Sequence, residues 1–141
     1  MDLRSAQALQ SLRLGHQSIA DSIDSLRPFL RSYLHAKPHL REFHQRLLTF
    51  FSRQDDIFFG ALYQSFQDDR NATKIIDFLA HDLKDLKIQF LIFFEKHSGE
   101  VLDQNAATFP KDFSDFCALL IARIKIEEER LFPLLEKMES R

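Results

Sequence analysis

From Phe113 to Met138 the apolar residues recur at alternating intervals of four and three: Phe113, Cys117, Leu120, Ile124, Leu131, Leu134 and Met138. That spacing marks one buried stripe on a long α-helix. One slot in the series is not apolar. It holds Glu127, a carboxylate aimed at the core, which is costly to bury unless a partner meets it. The fold must therefore offer this helix an apolar groove and, at one depth, a counter-charge.

Three more stretches carry stripes of the same kind. A first helix is predicted over about residues 5–34, with Leu9, Leu12, His16, Ile19, Ile23, Leu26, Leu30 and Tyr33 inward. Pro28 falls within that pattern and predicts a kink near Asp24 and Ser25, because it lacks a backbone donor. Ala36-Lys37-Pro38 is the expected break. A second helix over about 40–66 turns Leu40, Phe43, Leu47, Phe50, Gln54, Ile57, Phe58 and Ala61 inward. The charged run Gln67 to Asn71 stops it. A third, over about 73–98, carries Ile76, Leu79, Leu83, Leu86, Phe90, Phe93 and His97, with Gly99 placed to end it in a left-handed conformation. A longer connection, 100–109, leads to the last helix, where Thr108 or Phe109 caps and Pro110 suits the first turn. Long amphipathic helices with short connections predict an all-α, up-down-up-down four-helix bundle, one domain over 1–141.

Composition narrows the class. A formal charge of −2 offers no basic face for nucleic acid. The single cysteine, Cys117, cannot form an internal disulfide and lies on the inward stripe, which implies a buried thiol in a reducing compartment. The opening residues MDLRSAQALQ lack the apolar core of a signal peptide, and the most apolar run, Ile88 to Phe94, is too short to span a bilayer. A cytoplasmic protein is expected.

Measured along the helices of such a bundle, His16, Gln54 and Glu127 fall at one depth, roughly 17 Å from the same end at 1.5 Å per residue. Arg123 stands one turn from Glu127 at the edge of the stripe, within reach of an i,i+4 ion pair. These four side chains are the expected core polar layer. His97 reads as a packed core histidine among aromatics. His35, His39 and His44 around the first turn share no helical face with a carboxylate and read as solvated, as does His81. The 15 Phe residues read as bundle filler. A phosphate-binding Gly-rich loop, a paired Ser and His and a nucleophile elbow are all missing from the sequence, so an enzyme is not expected.

Two family resemblances follow from these residues. The layer, the length, the opening LRLGHQSIADSI and the run Glu127-Glu128-Glu129-Arg130-Leu131-Phe132-Pro133 resemble hemerythrin-like domains. Such domains are up-down bundles holding two iron atoms with about five histidines and two carboxylates. By that resemblance His16 and Glu127 occupy ligand positions. Arg123, Phe50 with Gln54, and Leu83 stand where the family has its other ligands. No metal is therefore expected, and any ion retained would rest on His16 and Glu127. The segments FHQRLLTFFS, NATKIIDFLAHDL and FSDFCALLIARIKIEEE resemble the Rsd/AlgQ regulators, which share the bundle without the di-iron site and bind the primary sigma factor of RNA polymerase. That family's Gly-His-Phe after the second-helix segment reads Gln54-Asp55-Asp56 here.

Ile88, Leu91 and Ile92 lie away from the third helix's inward stripe. Apolar residues on both faces imply contact with something beyond the bundle core, either Phe132 and the connection after this helix or a partner. The expected function is protein binding in a regulatory role, with a sigma factor or self-association through the third helix as the specific forms. The alternative is a domain responding to iron or another transition metal, or to oxygen, through a reduced ligand set.

Overall fold

The structure, a computed structural model, describes residues 3–97 and 106–139. Gly99 and residues 100–105 of the connection lie outside them. The described residues are all-helical, with no strand. Four rods make the bundle. The first is α1 (Leu3–Leu26), and the second is α2 (Tyr33–Ser52) followed by α3 (Asp56–Ser65). The third is α4 (Arg70–Lys96). The fourth runs through α5 (Phe109–Ile126), a π-helical turn (Glu127–Leu131) and α6 (Phe132–Glu139).

The first two rods break at different places from those expected. Pro28 does not kink a helix that continues to Leu34. The chain tightens into a 3-10 turn over Arg27–Phe29, with the proline at its start, and α1 ends at Leu26 because Pro28 has no N–H to return to the preceding turn. The break falls at residues 30–32, not at 36–38. Pro38 is instead the sixth residue of α2. The donor it lacks would have met the carbonyl of Leu34, whose residue is 75% exposed, so water can donate to that carbonyl in its place, as it does at helix ends.

The second rod is divided. Arg53 N–H donates to the Phe50 carbonyl and Gln54 N–H to that of Phe51, closing α2. Asp55 then caps α3 by accepting from Phe58 N at 2.9 Å. This restart resets the helical phase. Phe59, Leu62 and Phe66 are buried, whereas Ile57 is 82% exposed, Phe58 half-buried and Ala61 exposed. The continuous stripe expected through Ile57, Phe58 and Ala61 is thus corrected.

The third rod follows its stripe residue by residue, from Ile76 to His97. Asp69 caps it, accepting from Ala72 N at 3.1 Å, which moves the start to Arg70. In the fourth rod Thr108 holds the N-cap position and Pro110 the first turn. Pro133 explains the π-turn. A proline ring collides with the carbonyl four residues back in a regular helix. Widening the turn, with Phe132 N–H reaching the Glu127 carbonyl, relieves that clash.

Contacts between rods place the core. Arg46 Nη1 donates to Ser18 O at 3.0 Å and Arg53 Nη1 to Ser11 O at 2.9 Å, so α1 and α2 run in opposite directions. Gly15 lets them approach closely, since a Cβ there would stand 3.3 Å from the Phe50 ring. α6 packs on α1, α5 on α4, and α3 on α4. One end of the core is aromatic: Phe43, Phe93, Phe94, Phe109, Phe113 and Phe116 form tilted, edge-on and stacked pairs. Halfway along, the core turns polar. Among the described residues no helix is long and apolar enough to cross a membrane.

Candidate functional site

The four expected polar residues meet. Glu127, 0% exposed, lies at the centre. Its Oε2 accepts from Arg123 Nε at 2.6 Å and from Gln54 Nε2 at 3.1 Å, and its Oε1 lies 2.7 Å from His16 Nε2. Arg123 Nη2 donates to Gln54 Oε1 at 2.9 Å. Arg123 is wholly in the core at 1% exposure, not at the edge of the stripe. Ile124, expected inward, is only half-buried. A guanidinium has five donors in a rigid fork, and here that fork joins the fourth rod to two others.

Two acceptors for that fork were not expected. Arg123 Nη1 donates to the Leu79 carbonyl at 2.9 Å and to Asp82 Oδ2 at 3.0 Å. Asp82 is the neighbour of Leu83, the α4 residue at the depth of the layer, and a second carboxylate there was legible only from counting Arg123's donors. His16 is held by more than its contact with Glu127. Its ring stacks on Phe132 at 5.2 Å between centroids, and its Nδ1 stands 3.6 Å from Glu128 Oε1. Phe132 therefore packs on the α1 side and does not cover Ile88, Leu91 and Ile92.

Gln54 enters the layer from the break between α2 and α3, not from a continuous helix. It also floors an open groove of about 490 Å³ between α3 and α4. A second groove of about 420 Å³, between α4 and α5, reaches Asp82 and Arg123. Neither groove is lined by His16 or Glu127. Both oxygens of the layer's central carboxylate are engaged, and the bonds of the layer tie the rods to one another.

The layer also fails to fit the di-iron centre that the hemerythrin-like resemblance implies. Of its members only His16 and Glu127 are imidazole or carboxylate groups at ligand positions, and a permanent cation stands 2.6 Å from Glu127 Oε2, where a dication would be repelled. Among the described residues no group of three His, Cys, Asp or Glu side chains is arranged to hold a metal ion.

His97, at the far end of α4, packs on Phe93 and Phe109. Its Nε2 lies 2.8 Å from Asp112 Oδ2, and Lys96 Nζ is also 2.8 Å from that oxygen. Burial pushes the Asp112 carboxyl up, but the hydrogen bonds and charges of Lys96 and His97 outweigh it and hold the group below its ordinary 3.8. A depressed folded-state pKa stabilises the fold above the ordinary value and loses that contribution as pH falls through the folded one. Asp112→Asn is therefore expected to be less stable than the parent at neutral pH, with the gap closing below about pH 4. Urea unfolding of both proteins at each pH checks it, and a gap that stays constant would refute the ion pair's role.

His35 and His39 lie against the Phe29 ring and His44 against Phe90 and Phe94, so the last two are half-buried rather than solvated. His81 is exposed as expected. Burial pushes the Cys117 thiol up to about 12, which keeps it neutral and unreactive.

The outer face of α4 is the other candidate. Ile88, Leu91 and Ile92 are 51%, 62% and 54% exposed. Ile88 and Ile92 border the α4–α5 side, where Leu119 of α5 is also exposed. Asp85 lines the α4–α5 groove beside Ile88, and Asp115 lines a neighbouring hollow between the same helices beside Ile92. The nearer half of α4 is covered differently, since Tyr63 of α3 donates to Asp77 Oδ1 at 2.5 Å, a bond that pushes the phenol up to about 12.

No family model matches the chain, and no curated protein or solved structure matches it either. The two resemblances rest on the motifs quoted for them alone.

Proposed function

We propose that this chain is a non-enzymatic, hemerythrin-like bundle of up-down-up-down order that has lost its metal centre and acts by binding another protein. The exposed row Ile88, Leu91 and Ile92 carries the reading. Burying such side chains releases roughly 1.5–3 kcal/mol each, and a fold that leaves three together on one helix has a reason to meet a partner there. The arginine in the polar layer supports the loss of metal, because it does for Glu127 what a cation would do.

The Rsd/AlgQ resemblance makes the primary sigma factor of RNA polymerase the most specific partner. The carboxylates Asp85 and Asp115 beside the apolar row suit a helical segment that is apolar on one side and basic on the other. Titration calorimetry with purified primary sigma factor tests this. Binding by the parent, and its loss in the double variant Ile88→Asp, Ile92→Asp with an unchanged helical circular dichroism spectrum, is the expected result. Equal binding by parent and variant, or none by the parent, would sink the proposal.

A further inference from the structure

The outward face of α4 is complementary to itself. Lys84, Ile88, Leu91 and Glu95 follow one another at spacings of four, three and four, which places them on one narrow stripe, and all four are exposed. The order of types is cation, apolar, apolar, anion. Turned end over end about a point between Gln89 and Phe90, that order maps onto its own complement. Ile88 of one copy falls opposite Leu91 of the other, and Lys84 opposite Glu95. The same two contacts then recur on the far side of the axis.

We propose that a second copy of this chain docks on that face, α4 against α4 and antiparallel about a two-fold axis. Such an axis requires one patch to recognise itself, and few arrangements of a single helix face do so in both polarity and charge. The four-three-four spacing is also that of a helix-pairing seam, in which the apolar residues of one helix lie between those of the other. Neither Lys84 nor Glu95 forms an ion pair with another described residue of its own chain, in contrast to Lys96, which holds Asp112. Toward the start of α4 the seam would continue through His81 and Asp77, but α3 stands there, with Tyr63 on Asp77. The free segment is therefore residues 84–95, about 17 Å of helix. An interface of that length is small, and the dimer is weak and concentration-dependent.

The inference takes from the functional reading only that this face is an interaction surface. It adds that a sigma factor and a second copy compete for it. Sedimentation velocity on the full chain, from about micromolar to about millimolar concentration, reads the mass directly. The parent is expected to pass from monomer to dimer across that range. Ile88→Asp should weaken association by roughly a hundredfold, since the change is felt twice across the axis. Charge variants give the decisive comparison. Lys84→Glu alone sets glutamate against glutamate, and Glu95→Lys alone sets lysine against lysine, so each should self-associate less than the parent. Mixed together, the two single variants pair glutamates with lysines at both contacts, and the mixture should form heterodimers more readily than either variant forms homodimers. A parent that stays monomeric throughout, or a mixture no better than its components, overturns the proposal. A parent that dimerises this way but ignores sigma factor keeps the dimer and refutes the functional reading. A monomer that binds sigma factor through Ile88 and Ile92 does the reverse.

Discussion

Arg123→Ala is expected to cost about 3–5 kcal/mol of stability, a large share of the roughly 5–15 kcal/mol that holds a domain folded. The reason is what the substitution leaves behind. Glu127 has no exposed surface and would keep only the amide of Gln54 and the ring of His16 as partners. Gln54 Oε1 would lose the donor that now reaches it, and a buried acceptor without a donor carries its full desolvation cost. Asp82 is better placed, since a third of its side chain already meets solvent. Arg123→Met combined with Glu127→Leu removes both charges together, so its cost should fall well below the sum of the two single changes. Denaturant unfolding of Arg123→Met, Glu127→Leu and the double variant measures this coupling. An Arg123→Ala protein that unfolds with the parent, or costs that simply add, would show that the layer does not act as a unit.

Phe43→Ala should be nearly as damaging, by a different route. Phe43 is fully buried, with its ring about 6 Å from those of Phe94, Phe113 and Phe116. It comes from α2 and is surrounded by rings of α4 and α5, so its removal opens a cavity where three rods meet. Truncating a packed phenylalanine costs about 3–5 kcal/mol, from lost transfer energy and from the void that the neighbours cannot fill. Leu34→Ala is the matched control. It deletes an apolar side chain from the same helix at a site 75% exposed and should change stability by less than about 0.5 kcal/mol. Thermal or urea unfolding of both variants would expose an error if Phe43→Ala behaved like Leu34→Ala.

How much of this was legible beforehand differs from rod to rod. The stripe of α4 was readable to the residue, because nothing interrupts its backbone between the Asp69 cap and His97. The second rod misled because periodicity counts residues and assumes that each one advances the helix. Arg53, Gln54 and Asp55 do not, so every assignment beyond them was out of phase. A signal for that break was present in Asp55 and Asp56, which are helix-starting residues. Pro28 and Pro38 were both visible, but the sequence around them does not say which one ends a helix: Pro28 opens a 3-10 turn, whereas Pro38 sits inside α2. Asp82 was missed for a related reason. It lies at the margin of its stripe, and only the approach of α5 turns it toward Arg123.

The sequence by itself determined that the chain is helical, which faces are apolar outside α3, and that a histidine, a glutamine and a glutamate share one depth. These are properties of local spacing, and the helix repeat converts spacing into direction without knowledge of neighbours. Only the tertiary structure decided that Arg123 enters the core, that Asp82 and the Leu79 carbonyl receive it, that Phe132 covers His16, and that the outer face of α4 from Lys84 to Glu95 is left open. Each of those outcomes depends on how closely one rod approaches another. That distance comes from packing between segments far apart in the chain, which no local pattern encodes.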